Sequence, residues 1–485
     1  MVARAVVGAS LIYGNRIACK MGNPIVLSYY TTKEINRFIW YNELRTMKAS
    51  GYTSPMEYGR LKCWELNNWR GIMDKKEEIY FVHGFYYGNE NDYLRRIDQD
   101  ITFQDRVSDT ERIKPDHIIL IKDSIDDESA VQSLDVNIRN IEIDDGITQG
   151  TYVYYNEESI VSAENDPAVA VYKELNNVIT RSLRYENENN EPDVDNYDNV
   201  SDICSYHVNV GHGNCSIIAF RKEGRSILWL VDCSVRETTY SSRNYASNLD
   251  KCLTDILDEY GTNKISKLFI THLHYDHISG IEYLIRKGNI DCNTEVWMNL
   301  YYPWTQATYT RTLAKLRALG VKFIDPVAGN STREICILYP KSSFSAKNPA
   351  PKNEINNSSV LYQIILAGRS MLFPGDIETD GWDNVDTCYP HMKQSDYYCI
   401  SHHGSVNGHY CNICRRGGGI WNPHDVWKCA KNSKAQILMG RDKAFNGIFS
   451  QKVLNSFGKH GNLHKTEDAD HYIKLNWETG YSEYK

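Results

Sequence analysis

The sequence predicts an α/β layered region from residue 203 to 485, preceded by an α+β region ending near residue 183. Three observations predict it. Strand-like and helix-like runs alternate after residue 203, and such alternation builds layered α/β domains. Several of those strands end on polar, metal-capable residues. Between the two regions, residues 184–202 (RYENENNEPDVDNYDNVSD) are acidic, Asn-rich and nearly free of aliphatic side chains. Such a segment cannot bury enough surface to offset its own ordering, so it reads as an exposed linker.

In the first region, Ile79-Tyr80-Phe81-Val82 and Ile118-Ile119-Leu120-Ile121 read as strands. Residues 33–49 and 168–183 read as helices from their apolar spacing. This region is rich in tyrosine and has no motif tied to chemistry. It is expected to recognise substrate or dock a protein partner. In the second region strands are expected at 207–211, 216–220, 227–232, 267–271, 295–300, 335–339, 359–366, 370–373, 399–403, 435–440 and 472–477. Helices are expected at 244–260, 278–287, 306–319 and 449–459.

Composition narrows the classes. A chain of 485 residues is long enough for two or three domains. No run of roughly 18 apolar residues occurs, so no membrane-spanning helix is expected. The opening MVARAVVGASLIYGNR reads as a first strand rather than a signal peptide. Thirteen scattered cysteines suggest reduced thiols and a cytoplasmic protein. The net charge of −8 disfavours non-specific coating of nucleic acid. A nucleic-acid contact would need a local basic patch.

The chemistry concentrates in the second region. Of 15 histidines, only His83 and His117 precede the acidic segment. THLHYDH, residues 271–277, follows an apolar strand. His272 and His274 stand two positions apart and so point to the same side. Asp276 and His277 follow in the turn into a helix. Imidazole nitrogens and carboxylate oxygens suit Zn²⁺ and similar ions. Four such ligands, split two and two, fit a pair of metals about 3.5–4 Å apart. Asp376, after the strand ending FPG, and the His402-His403 pair in ISHHGS supply further ligands at other strand ends. Asp232 closes the strand LWLVD in the same way.

Together HLHYDHISG, FPGDIE and SHHGS resemble the metallo-β-lactamase fold. More narrowly, they resemble the hydrolase domain of ComEC-type competence proteins. VGHGN at 210–214 stands near that group's VGQGD, and NNSSVL at 356–361 precedes the GD strand. The resemblance covers roughly residues 204–480. It implies a four-layer αββα sandwich with a two-metal site between the sheets, behind a separate N-terminal α+β domain. It implies His272 and His274 on one metal, Asp276 and His277 on the other, and Asp376 as the bridge. One of His402 and His403 completes the second site, and the other is left as a general acid. Asp232 would orient a ligand imidazole from outside the metal shell. The chain departs from the wider family in having no histidine from residue 278 to 390. Asn357, Ser358 or water would fill that place. Such oxygen-rich coordination makes Mn²⁺ an alternative to Zn²⁺. Asn214 replaces the group's aspartate, which removes a negative charge.

Two metals at this spacing ionise water and polarise the bond under attack. The ComEC-like pattern favours a phosphodiester in nucleic acid or a nucleotide. An ester, thioester or lactam hydrolase and a non-catalytic metal-binding protein are the alternatives. Ser405 and Asn407 stand ready for phosphate oxygens. Arg415 and Arg416 form a basic patch that either guides a phosphate backbone or is simply a solvated loop. Cys411, Cys414, His424 and Cys429 have spacing that fits either a structural Zn²⁺ or unpaired thiols. A soluble hydrolase joined to an unrelated N-terminal region suggests a partner-controlled effector, such as one in a bacterial defence system.

Overall fold

The computed structural model describes residues 11–13, 16–18, 78–86, 88, 115–122, 131–187, 189–193, 196–236, 243–326, 330–339, 355–378, 381, 382, 385, 395–405, 407, 408, 433–440, 450–458 and 462–485. The expected helix at 33–49 lies outside these residues, as do Cys411, Cys414, His424, Cys429, Arg415 and Arg416.

A short hairpin, β1 (Leu11–Tyr13) and β2 (Arg16–Ala18), comes first. β3 (Ile79–Tyr86), β4 (His117–Lys122), β5 (Gln132–Asn137), β6 (Glu142–Ile143), β7 (Tyr152–Tyr155) and β8 (Ser159–Ser162) form a six-stranded sheet in the order 5-4-3-7-8-6. The helix Pro167–Asn187 follows. It runs four residues into the expected linker, and β9 begins at Val200. Within that segment Tyr197 is buried against Phe220 and Trp229, with ring centroids 5.7 and 5.1 Å away.

The second region is built on two sheets. β9 (Val200–Val208), β10 (Cys215–Lys222), β11 (Arg225–Cys233), β12 (Ile265–Phe269), β13 (Glu295–Trp297) and β14 (Lys322–Ile324) belong to the first. β15 (Ile335–Tyr339), β16 (Leu361–Leu366), β17 (Arg369–Phe373), β18 (Tyr397–Cys399), β19 (Ala435–Leu438) and β20 (Asn462–Lys465) form the second, in that order. β21 (Tyr472–Asn476) and β22 (Ser482–Tyr484) return to the first sheet, whose order is 14-13-12-11-10-9-21-22. β11 to β14 run parallel, with Leu230 opposite Leu268 and Phe269 opposite Trp297.

The apolar runs explain the layering. A strand buried on both faces reads as continuous hydrophobic sequence rather than as an alternation. In β11, Leu228 and Leu230 point to one core, Trp229 and Val231 to another. The first core joins the sheet to the helices Ala246–Tyr260, Ile281–Lys287 and Ala307–Leu319. The second lies between the two sheets. There Trp229, Phe269 and Trp297 of the first sheet meet Tyr362, Met371 and Tyr397 of the second. The Phe269 and Tyr362 rings are 5.2 Å apart, edge to face. On the far side, Leu372, Tyr398 and Leu438 pack with Val453, Leu454 and Phe457 of the helix Gln451–Gly458.

The N-terminal sheet shares the helix-side core. Phe81, Tyr152, Val169, Ile179 and Leu183 are buried with Trp304, Leu313 and Leu316. Asn176 Nδ2 donates to Thr310 Oγ1 at 2.9 Å, and the Tyr152 hydroxyl donates to Thr305 O at 2.7 Å. Among the described residues no helix is long and apolar enough to cross a membrane, and no disulfide joins the described cysteines.

Candidate metal centre

The proposed ligands come from the carboxyl ends of strands in both sheets, the usual place for a site in a layered α/β fold. β12 ends at Phe269, and the chain then lays out His272 and His274. A single helical turn, Tyr275–Ile278, carries Asp276 and His277. β17 ends at Phe373, three residues before Asp376, and β18 at Cys399, three before His402. Gly375 has φ 59°, and a Cβ there would lie 2.6 Å from the Thr271 side chain. Only glycine lets these two strand ends approach so closely.

His272, His274, Asp276, His277, Asp376 and His403 are all buried and converge. Ligand atoms of Asp276, His277, Asp376 and His403 lie within 4.8 Å of one another, as do those of His272, His274 and Asp376. His277 Nε2 is 3.3 Å from Asp376 Oδ1. His403 Nε2 is 3.3 Å from Asp276 Oδ2 and 3.4 Å from Asp376 Oδ2. His272 Nε2 is 3.0 Å from His274 Nδ1 and 3.8 Å from Asp376 Oδ2.

The second member of the SHH pair differs from the first. His403 is buried in the cluster, whereas His402 is half-buried at its rim, 4.0 Å from Asp376 Oδ2 and 3.5 Å from Glu378 Oε1. Both hold positive φ, 46° and 51°, as does Asp232 at 52°. Such backbone strain costs of order 1–3 kcal/mol per residue and persists where the surroundings impose it.

Partners outside the cluster fix the rings. Asp232 Oδ2 lies 2.8 Å from His277 Nδ1, and the same carboxylate accepts from Thr271 N at 2.8 Å and Thr271 Oγ1 at 2.7 Å. His403 Nδ1 donates to Met439 O at 2.8 Å. Both rings therefore turn Nε2 inward, the arrangement that orients metal-binding imidazoles. Asn357 and Ser358 are engaged elsewhere. Asn357 Oδ1 accepts from Glu378 N and Gly381 N at 3.0 and 3.1 Å, and Ser358 Oγ donates to Ile355 O at 2.6 Å. Asn357 braces the loop after Asp376 instead of filling a ligand place. Ser405 Oγ donates to Asn407 Oδ1 at 2.5 Å, and Asn407 Nδ2 donates to Glu378 Oε1 at 2.7 Å.

Two neighbours, His83 and Gln149, had no distinguishing signal in the sequence, and a third, His212, had a weak one. His83 on β3 stacks its ring 4.1 Å from that of His274, and its Nε2 is 3.9 Å from Asp276 Oδ1. Gln149 Nε2 donates to His83 O at 2.7 Å and stands 3.1 Å from His274 Nε2. His212 Nε2 is 3.4 Å from Asp276 Oδ2, with its ring 4.0 Å from that of His403. The VGHGN turn that carries His212 was the available clue for it.

The electrostatics call for positive charge. Burial pushes the His272 and His274 imidazoles well below their ordinary value, and His83 down to about 4. For His403, burial also opposes the charged form, but the Asp376 and Asp276 carboxylates lift it to about 10. His277 rises well above its ordinary value, against burial, through Asp376 and Asp232. Burial disfavours the charged carboxylates of Asp276 and Asp376, yet the facing imidazoles hold both well below the usual range. Meanwhile, among the described residues, Asp276 Oδ1, Asp376 Oδ1, His277 Nε2 and His403 Nε2 are buried with no hydrogen-bond partner. Each such atom costs about 1–3 kcal/mol if left unsatisfied. Divalent cations satisfy this donor set, and the residues fit them.

Fold and site together are of the metallo-β-lactamase-fold class. Residues 208–291 match the family model of the metallo-beta-lactamase superfamily. Within that class part of the chain resembles a ComEC-type protein. It is 26% identical over 159 residues to ComE operon protein 3 of Bacillus subtilis (strain 168), a match covering 32% of this chain and 19% of that protein. The aligned part thus spans about a fifth of the relative's length. Among solved structures, CmlA, a diiron beta-hydroxylase from Streptomyces venezuelae, is 14% identical with TM-score 0.34, covering 80% of this chain and 82% of its own. The metallo-beta-lactamase fold protein YhfI from Bacillus subtilis is 13% identical with TM-score 0.29, covering 55% and 98%.

Proposed function

We propose that the chain is a metal-dependent phosphodiesterase whose substrate is nucleic acid or a nucleotide. The observation that carries this reading is the split of the His402-His403 pair. His403 faces two carboxylates from inside, while His402 faces the rim. The split leaves one imidazole to hold the centre and the other to serve the leaving group. His272, His274 and Asp376 would hold one ion, and Asp276, His277, Asp376 and His403 the other. Zn²⁺ and Mn²⁺ both suit imidazole and carboxylate ligands. Bound there, such ions supply ionised water and neutralise charge on the bond under attack.

The protein's own groups do the rest. Asp232 and Met439 O keep His277 and His403 with Nε2 inward. Burial pushes the His402 imidazole down to about 4; an anionic phosphate beside it would raise that value, and the imidazolium would then hand its proton to the departing oxygen. Glu378 and the Asn356 amide hold that imidazole at the rim, 3.5 Å from it on either side. At the rim the Asn356 and Asn407 amides donate to Glu378 Oε1 at 2.8 and 2.7 Å, and phosphate oxygens would compete with that carboxylate for them. The resemblance of the motifs to ComEC-type hydrolase domains favours a phosphodiester over an ester or lactam.

The test is a cleavage panel with Mn²⁺ and with Zn²⁺: single- and double-stranded DNA, RNA, cyclic dinucleotides, chromogenic esters and lactams. Phosphodiester cleavage that vanishes in a folded Asp276→Ala protein is expected. Turnover of esters or lactams alone would replace this reading with small-molecule hydrolysis.

A further inference from the structure

We propose that His83 is a metal ligand, supplied across the fold by the N-terminal sheet to the half of the centre that holds His272 and His274. The proposal rests on the metal-centre reading above and extends it to a residue outside the metallo-β-lactamase-like region.

The sequence poses the problem. His272 and His274 have no third histidine between residues 278 and 390, and Asn357 and Ser358 are bonded elsewhere. The backbone supplies an answer. β3 pairs with β4 with Val82 opposite Leu120 and Gly84 opposite Ile119, so the register slips at His83. A bulge of this kind leaves one residue out of the ladder and re-aims its side chain. Phe81, two residues earlier, packs edge to face on Trp304 at 4.7 Å, so this face of β3 looks onto the site. His83 follows on the same face, buried, with ligand atoms of His83, His274 and Asp276 within 4.8 Å of one another.

His83 also lacks the partners that a structural histidine would have. Among the described residues its Nδ1 is buried without a hydrogen bond, and its Nε2 approaches Asp276 Oδ1 at 3.9 Å. Buried imidazoles with an unsatisfied nitrogen are uncommon, and such a group needs an explanation. A cation among His83, His274 and Asp276 provides one when the ring turns Nδ1 toward it. Gln149 bonds to the His83 carbonyl and reaches His274, which ties the strand to the ligand loop. His117 on the neighbouring strand makes a useful contrast. Its Nδ1 lies 3.0 Å from Asp135 and 3.1 Å from the Tyr86 hydroxyl, well satisfied within its own sheet.

The experiment uses the full chain and reads metal rather than turnover. Wild type, His83→Ala, His117→Ala and His274→Ala are titrated with Co²⁺ while the visible d–d spectrum is recorded. Bound Zn²⁺ and Mn²⁺ are counted after dialysis. His83→Ala should weaken one of the bound equivalents by more than about 100-fold, beyond the 10–100-fold typical of losing an outer partner. It should also change the Co²⁺ spectrum, while His117→Ala matches wild type. A weakened equivalent with an unchanged spectrum makes His83 a positioning residue and overturns the proposal. So does an equal loss in His117→Ala, which would point to docking of the sheet alone. If His274→Ala loses metal and His83→Ala does not, only this inference fails. If neither loses metal, the metal-centre reading fails with it.

Discussion

The two halves of the cluster are built differently. Around Asp276, His277, Asp376 and His403, each imidazole has its Nδ1 anchored within the two-sheet sandwich, His277 by Asp232 and His403 by the Met439 carbonyl. In the other half the two imidazoles lean on each other; His272 Nδ1 lies 3.3 Å from Thr271 Oγ1, while His274 meets His83 and Gln149 of the N-terminal region. One half is organised by its own region, and the other depends on a second region for its surroundings. The lesson concerns assembly. A site can be legible in one stretch of sequence and still be completed from another.

Breaking what the halves share should have the largest effect. Asp376 approaches His272, His277 and His403 at 3.8, 3.3 and 3.4 Å. Asp376→Ala should lose metal from both halves and reduce hydrolysis to background, read by metal analysis and by the cleavage panel. Retention of either would separate the halves completely. Next is His402, which lies outside both. His402→Asn keeps a residue that tolerates positive φ. It should lower kcat by about 10²–10⁴, the range for a general acid, with metal content intact. Lost metal instead would make His402 a ligand.

The anchored half is sharpened by Asp232→Asn. Weakening the hold on His277 should cost about 10–100-fold in affinity for one ion and leave the other unchanged. Calorimetric metal titration distinguishes one weakened site from two. The smallest effect is on stability against pH in the metal-free protein. His403 rises from 6.5 to about 10 on folding. Its contribution is therefore complete below pH 6.5 and lost as pH rises through about 10. Melting temperature should fall across that window in metal-free protein and hold steady with metal bound, since ligands must be deprotonated to bind. A flat profile without metal would contradict the charge assigned to His403.

The parts that sequence made legible are those whose geometry is local. In THLHYDH the spacing itself sets two imidazoles side by side and turns Asp276 and His277 into the next helical turn. The buried strands were legible because they are continuous apolar runs, as in ILWLVD. Elements that depend on tertiary context were not. The helix expected at 278–287 is two pieces, Tyr275–Ile278 and Ile281–Lys287. The strand expected at 399–403 ends at Cys399, and a turn follows. The choice between His402 and His403 hangs on two backbone angles that only the packed loop imposes. His83 looked like an ordinary strand residue in YFVHGFY, because a bulge, not a motif, directs it. Asn357 drew attention by its place before the GD strand, yet its amide braces the loop that follows Asp376.

The most direct measurement is the metal content of the purified full-length chain after equilibration with Mn²⁺ or Zn²⁺, beside Asp276→Ala and Asp376→Ala. Two ions per wild-type chain, fewer with Asp276→Ala and none with Asp376→Ala, is the predicted result. Wild-type protein that retains neither ion, or variants that hold as much metal as wild type, would contradict a centre built from these side chains.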